Sequence, residues 1–240
     1  PGPPASAQMA ARHTACDKGA GPSPYGPCAA AHPDPSCVLS SSQLPCPCTT
    51  ARQWYPGRNG TLTDQRSRAK GVNSYTSDAK ALPFNDYTGG NTGGGGLWGN
   101  ASQWSWNWKP NPAGTAVSYV SAPLKTDTTV VGAGGVYLWV RSSTPDVDLQ
   151  ATISEIAPDG HETFVQNGYQ RASVRKLSTG TDNLFHTRST VLDPIMSMKG
   201  ADVALMPAGR YVPLAIPLYY QGHTYRTGTR IRVTIAAPNG

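Results

Sequence analysis

Residues 118–160 read SYVSAPLKTDTTVVGAGGVYLWVRSSTPDVDLQATISEIAPDG, and their pattern indicates the fold class. Residues 136–140 form an unbroken apolar run. After a polar turn, Val147, Leu149, Ala151 and Ile153 alternate with polar residues. Successive side chains of a strand point to opposite faces of its sheet, so an alternation of period two between turns predicts β-strands.

Strand-like runs continue at short spacing to the end of the chain. Pro158, Asp159 and Gly160 are typical of a turn, because proline presets φ and glycine supplies a positive φ. No run predicts an α-helix, and residues 177–209 are predicted to form a long connection. The strands predicted from residue 117 onwards are 117–120, 129–131, 136–141, 147–156, 162–167, 169–175, 210–217 and 230–236.

This spacing predicts an all-β fold, a jelly-roll-like β-sandwich. A strand pair at 52–56 and 61–63, joined by the Asn59-Gly60 turn, is expected to open it. Pro213 and Pro217 place the seventh strand at an edge or a bulge, because proline cannot donate to the ladder. The residues expected in the core are Val136, Leu138, Val140, Leu149, Ile153, Val165, Ile231, Val233 and Ile235.

The first fifty residues have a different composition and predict a separate segment. Residues 1–50 are rich in Pro, Ala, Cys and Ser and poor in large apolar residues, so they are predicted to be an irregular linker or tail. The sandwich is then expected over residues 51–240, truncated at its C-terminal end. All five cysteines lie at 16–48 with spacings unsuited to a zinc knuckle. Disulfides of an exported tail and free thiols both remain open, with the cluster favouring a secreted protein over a cytoplasmic one.

Two long segments, residues 122–173 and 213–240, resemble the C-terminal jelly-roll domain of the cocaine esterase and X-Pro dipeptidyl-peptidase (CocE/NonD-type) family of serine hydrolases. The first runs from APLKTDTTVV to NGYQRAS, and the second runs from PLAIPLYYQG to TIAAPNG. The resemblance implies a galactose-binding-like sandwich behind an α/β-hydrolase domain that carries the catalytic Ser, Asp and His. It therefore also implies such a hydrolase domain as the partner of this chain.

Charge and hydropathy exclude two broad function classes. The formal net charge is +6, but the basic residues are scattered and no run of five to eight Lys or Arg occurs. Binding to nucleic acid is therefore not expected. No run of 18 apolar residues occurs either, so a transmembrane helix is not expected.

No catalytic or metal site is predicted from the residues. The nearest match to a nucleophile elbow is at residues 21–25, GPSPY, which lacks the final glycine and has proline on both sides of the serine. His223 is interpreted as a hydrogen-bonded loop residue. Glu155 and Glu162, the two glutamates of the chain, are interpreted as surface residues of neighbouring strands. No cofactor is expected.

One cluster of aromatic residues is a candidate binding site. Trp104, Trp106 and Trp108 alternate, so an extended backbone would place their indoles on one face. Such a row stacks sugar rings in carbohydrate-binding modules. It also anchors long loops onto a neighbouring surface, and the sequence favours this second interpretation.

Three function hypotheses follow. The first is a non-catalytic C-terminal domain of an ester or X-Pro dipeptidyl-peptidase hydrolase, which packs on the catalytic domain and shapes one wall of its substrate cleft. The second is a stand-alone carbohydrate-binding sandwich with a tryptophan platform. The third is a structural module of a secreted protein. Under the first hypothesis, an unpaired edge beside residues 231–235 and an interdomain face predict that the isolated chain self-associates.

Overall fold

The computed structural model describes residues 50–66, 71–81 and 110–238, together with the backbone of residues 6–13. Within these ranges the ordered elements are β-strands and three short 3-10 turns, with no α-helix. The strands are β1 (Ser6–His13), β2 (Thr50–Pro56), β3 (Thr61–Thr63), β4 (Ala116–Ser121), β5 (Thr128–Val140), β6 (Asp148–Ile156), β7 (Glu162–Arg171), β8 (Val212–Tyr225) and β9 (Arg230–Ala236). The predicted all-β class is confirmed.

The strands follow the order β7-β6-β9-β4-β3-β2-β1-β5-β8. The pairs are antiparallel except for β3 with β4. The arrangement curls into a β-sandwich, with β6, β9 and β4 in one layer and β5 and β8 in the other. The buried core lies between these layers and includes Ile153 of β6, Val233 of β9 and Ile216 of β8.

The two edge strands, β7 and β8, meet without forming a ladder. The Gln166 side chain donates a 3.0 Å hydrogen bond to the carbonyl oxygen of Tyr220. A Cβ atom at Gly168 would lie 1.7 Å from the carbonyl oxygen of Pro217. Since Pro213 and Pro217 lack an N–H, β8 cannot offer a regular row of donors to β7. The predicted edge or bulged position of this strand is confirmed.

Two predicted breaks are absent from the strands. Residues 129–131 and 136–141 were expected as separate strands, but β5 runs through all four residues 132–135. Residues 162–167 and 169–175 likewise join into β7, which ends at Arg171 before a 3-10 turn. The glycines do not interrupt these strands because their missing side chains allow close contacts. Gly135 lies beneath Pro194, and Gly168 lies against β8.

β8 contains a bulge that reverses its alternation. Gly132 pairs with Gln221 and Gly134 pairs with Leu218, so β8 has one residue more than β5 in this interval. Before the bulge, Leu214, Ile216 and Leu218 enter the core; after it, Tyr225 is fully buried. One extra residue moves the following side chains to the other face of a strand.

Six of the nine predicted core residues are buried: Val136, Leu149, Ile153, Ile231, Val233 and Ile235. Leu138, Val140 and Val165 are only partly buried, although they contact the core.

Two further expectations differ from the structure. β9 pairs with β4 on one side and with β6 on the other, so residues 231–235 have no unpaired edge. Ser6–His13 form a strand between β2 and β5, inside the segment that composition predicted to be irregular. A strand held by backbone hydrogen bonds on both sides does not require an apolar sequence. The rest of residues 1–49 lies outside the described residues.

Candidate interaction surface and comparison with known proteins

The residues between β7 and β8 form a cover over β5. Ile195 and Met196 are buried residues of this cover, and Leu177 and Met196 form an isolated β-bridge. The hydroxyl of Tyr137 in β5 donates a 2.8 Å hydrogen bond to the carbonyl oxygen of Val191. Burial and the nearby Asp193 carboxylate raise the pKa of Tyr137 to about 12, so this hydroxyl keeps its proton at neutral pH. We call residues 177–209 the β7–β8 cover.

Side-chain and backbone hydrogen bonds attach the cover to the sandwich. Arg175 donates hydrogen bonds to the carbonyl oxygens of Ala172 and Ala204. The backbone N–H of Met206 donates to the carbonyl oxygen of Pro145 at 2.7 Å, and that of Ala204 donates to Ser173 at 2.8 Å. The cover therefore has a defined position although it contains no strand of its own.

Large apolar side chains of the cover are exposed to solvent. These seven residues are Leu177, Leu184, Phe185, Val191, Met198, Val203 and Leu205. A soluble monomer exposes single apolar residues commonly, but a group of seven on one connection is typical of an interaction surface. Sequence reasoning predicted the connection but not this surface, because the apolar residues follow neither the strand nor the helix period.

Leu184 and Phe185 lie in the middle of a loop whose shape is fixed by hydrogen bonds from the Asn183 side chain. The amide nitrogen of Asn183 donates to Ser178 Oγ at 3.1 Å, to the Gly180 carbonyl at 3.0 Å and to the Thr187 carbonyl at 2.7 Å. Its amide oxygen accepts the N–H of Phe185 at 3.0 Å. His186, which follows Phe185, has a left-handed φ of 51° and closes the turn. We call residues 178–188 the Asn183 loop.

A second feature is a polar contact across the layers of the sandwich. His223 Nε2 lies 2.7 Å from Glu155 Oε2, and Glu155 Oε1 accepts the N–H of Arg226. The ring of His223 meets Tyr225 edge to face at a centroid distance of 4.6 Å. Burial acts to raise the pKa of Glu155, but hydrogen bonds from His223, Thr229 and the Arg226 N–H lower it below its ordinary value. Glu155 therefore stays ionised at neutral pH.

The other glutamate belongs to a separate buried pair. Arg232 of β9 donates a 2.7 Å hydrogen bond to Glu162 Oε2, and the Ser154 hydroxyl donates to Glu162 Oε1 at 2.5 Å. The Glu162 side chain is 6% exposed. Glu155 and Glu162 were each interpreted as surface residues, and the structure corrects this. Gln150, Thr152 and Thr234 on the same face as Arg232 are buried as well.

His223 and the aspartates at the start of β6 have structural partners, and the other candidate residues lie outside the described ranges. The sequence predicts a loop position for His223, but the structure places this residue in β8. Asp148 forms a two-point ion pair with Arg171, while Asp146 accepts the backbone N–H of Val147 and of Ser173. The predicted binding residues Trp104, Trp106 and Trp108, the five cysteines and the GPSPY segment are not among the described residues.

In the part of the chain that the structure describes, no group of three His, Cys, Asp or Glu residues could hold a metal ion. His223 bonds to Glu155. Among the described residues, no helix has the length and apolar character needed to cross a membrane.

A family model described as the X-Pro dipeptidyl-peptidase C-terminal non-catalytic domain matches residues 18–240. The chain belongs to this family. The resemblance to the CocE/NonD-type hydrolases is thereby confirmed, and family membership does not favour a stand-alone carbohydrate-binding module.

Two curated relatives carry the name "Putative serine esterase", one from Mycobacterium bovis and one from Mycobacterium tuberculosis. Each is 28% identical over 120 residues, which is 50% of this chain and 18% of the relative. The chain thus matches less than a fifth of the length of these proteins.

Two solved structures share the fold. An aminopeptidase from a marine sediment archaeon, a Thaumarchaeota archaeon, has a TM-score of 0.54 at 19% identity, over 77% of this chain and 28% of that chain. An α-amino acid ester hydrolase has a TM-score of 0.53 at 18% identity, again over 77% and 28%. At these identities the likeness concerns the fold alone.

Proposed function

We propose that this chain is the non-catalytic β-sandwich domain of a serine hydrolase of ester or X-Pro dipeptidyl-peptidase type, and that it packs on the α/β-hydrolase domain and shapes one wall of the substrate cleft. The observation that carries the proposal is the set of exposed apolar side chains on the β7–β8 cover. Val191, Val203 and Leu205 are exposed there, on a segment that hydrogen bonds hold in place.

An ordered apolar surface fits a permanent neighbour better than a transient one. A neighbouring domain that removes these apolar side chains from water would stabilise the docked arrangement by about 25 cal/mol for each Å² of apolar surface buried. The family is described as a non-catalytic domain of X-Pro dipeptidyl-peptidases. This description supports a catalytic hydrolase domain as the neighbour that the apolar side chains contact.

The activity test compares three proteins: the full parent protein, its catalytic domain, and this chain. We expect the full protein to hydrolyse p-nitrophenyl esters or X-Pro anilides, and the chain alone to have no serine-inhibitor-sensitive turnover. Turnover by the pure chain would contradict a non-catalytic role. A parent protein that has no Ser, His and Asp or Glu arranged as a triad outside this chain would contradict a hydrolase partner.

The cleft-wall role has its own test. If the cover lines the cleft, Val203→Ser with Leu205→Ser in the full protein should change KM for substrates with long acyl or side-chain groups more than for short ones. Equal changes for both would indicate that the cover only supports the catalytic domain. A Val72→Ser protein is the control, because Val72 is similarly apolar and 69% exposed but lies outside the cover.

A further inference from the structure

The Asn183 loop presents the most exposed large apolar side chain among the described residues. Leu184 is 79% exposed and the adjacent Phe185 is 66% exposed. Exposure of two adjacent large apolar side chains to water is unfavourable, and an unstructured loop could turn both side chains towards the protein. This loop cannot do so freely, because Asn183 ties the segment before them to the segment after them through four side-chain hydrogen bonds.

We propose that Leu184 and Phe185 are the anchor of the interdomain contact, filling an apolar pocket on the surface of the catalytic domain. The proposal rests on the proposed function, and it names the two residues that contribute most of the free energy of docking between the domains. Interfaces concentrate their energy in a few large side chains that enter pockets, while the surrounding contacts mainly exclude water.

Asn183 is a positioning residue in this arrangement. A loop that is already ordered loses little conformational entropy when it docks, so more of the apolar burial appears as binding free energy. The left-handed φ of 51° at His186 is part of the same fixed turn. A flexible loop with the same two side chains would bind more weakly.

The charges around the loop favour a protein pocket over a lipid surface. Residues 178–190 contain one acidic residue, Asp182, and one basic residue, Arg188. Asp182 is itself paired with Lys199. Membrane-binding segments combine a broad apolar face with clustered Lys and Arg, and this loop has two apolar residues and no basic cluster.

The experiment uses the full parent protein with four variants: Leu184→Ser with Phe185→Ser, Asn183→Ala, Val203→Ser with Leu205→Ser, and Val72→Ser as the control. Scanning calorimetry and the yield of an interdomain cross-link measure docking. We expect the Leu184/Phe185 variant to lower the docked-to-undocked ratio at least tenfold and to split one thermal transition into two. Asn183→Ala should lower the ratio by a smaller factor, and Val72→Ser should leave it unchanged.

Three other results would contradict the proposal that Leu184 and Phe185 anchor the interdomain contact. If the Val203/Leu205 variant separates the domains and the Leu184/Phe185 variant matches the control, the domains dock elsewhere on the cover and the proposed function stands. If no variant changes the docked ratio, the cover is not the interface, and the proposed function loses its main support as well. If the Leu184/Phe185 variant keeps normal docking but loses binding to vesicles of anionic phospholipid, the loop binds lipid.

Discussion

His223 Nε2 and Glu155 Oε2 lie 2.7 Å apart and join β8 to β6 across the two layers of the sandwich. The contact depends on the bulge in β8, which turns His223 and Tyr225 towards the interior. The side chains of His223 and Glu155 are 29% and 14% exposed, so the pair is shielded from water but not sealed off. Removing one partner leaves the other incompletely paired.

Glu155→Gln should therefore destabilise the fold in a pH-dependent way. The folded-state pKa of Glu155 lies below its ordinary value of 4.5, so its contribution to stability is complete above that value and is lost as the pH falls through the folded-state pKa. Urea unfolding at pH 7 should show a loss of about 1–3 kcal/mol for the variant. The difference between wild type and variant should shrink from about pH 4.5 downwards, and a constant difference to pH 3 would contradict the assignment.

Gly168→Ala should be strongly unfavourable at the meeting of the two edge strands. The added Cβ would lie 1.7 Å from the Pro217 carbonyl oxygen and 3.2 Å from the Leu218 Cα, which are backbone atoms and cannot rotate away. β7 and β8 would have to separate, at a cost of about 1–3 kcal/mol or more.

Gly222→Ala is the matched control for that substitution. Gly168 lies in β7 and Gly222 in β8, but a Cβ at Gly222 would meet nothing within 4 Å. Its expected effect is neutral or slightly stabilising, through the lower entropy of the unfolded chain. Equal denaturant midpoints for the two alanine variants would show that β7 and β8 are not in close contact.

The buried Glu162–Arg232 pair should respond differently to single and double substitution. Arg232→Met leaves the Glu162 carboxylate buried beside Ser154, and a loss of about 3–5 kcal/mol is expected. Arg232→Met with Glu162→Leu removes both charges and should recover a large part of that loss. Additive losses in the double-mutant cycle, measured by denaturant unfolding, would argue that the two side chains do not interact.

The sequence predicts the strands well because alternation and turn residues are local signals. Leu149 and Ile153 enter the core as their spacing indicates. The orientation of His223 is not a local property, since it depends on one extra residue in β8 relative to β5. The burial of the second face of β9 is not a local property either, because alternation identifies the two faces of a strand but not whether both are covered.

The candidate surface was less predictable than the fold. Residues 177–209 have no periodicity, so the sequence indicates a connection and nothing about which side chains it exposes. The four hydrogen bonds of Asn183 join residues 178, 180, 185 and 187, and such a pattern becomes visible only with coordinates. The alternative site, Trp104, Trp106 and Trp108, lies outside the described residues and stays a prediction.

The isolated chain should self-associate through the β7–β8 cover. The unpaired β9 edge that first motivated this expectation is absent, since β9 pairs on both sides. The exposed apolar side chains of the cover give an independent reason, because two copies can bury the surface that a catalytic domain would otherwise occupy. Sedimentation velocity should show an average mass that rises with protein concentration. Leu184→Ser with Phe185→Ser should reduce this rise, and Val72→Ser should not. A stable monomer at high concentration would contradict the prediction, and it would show that the cover is soluble without a partner.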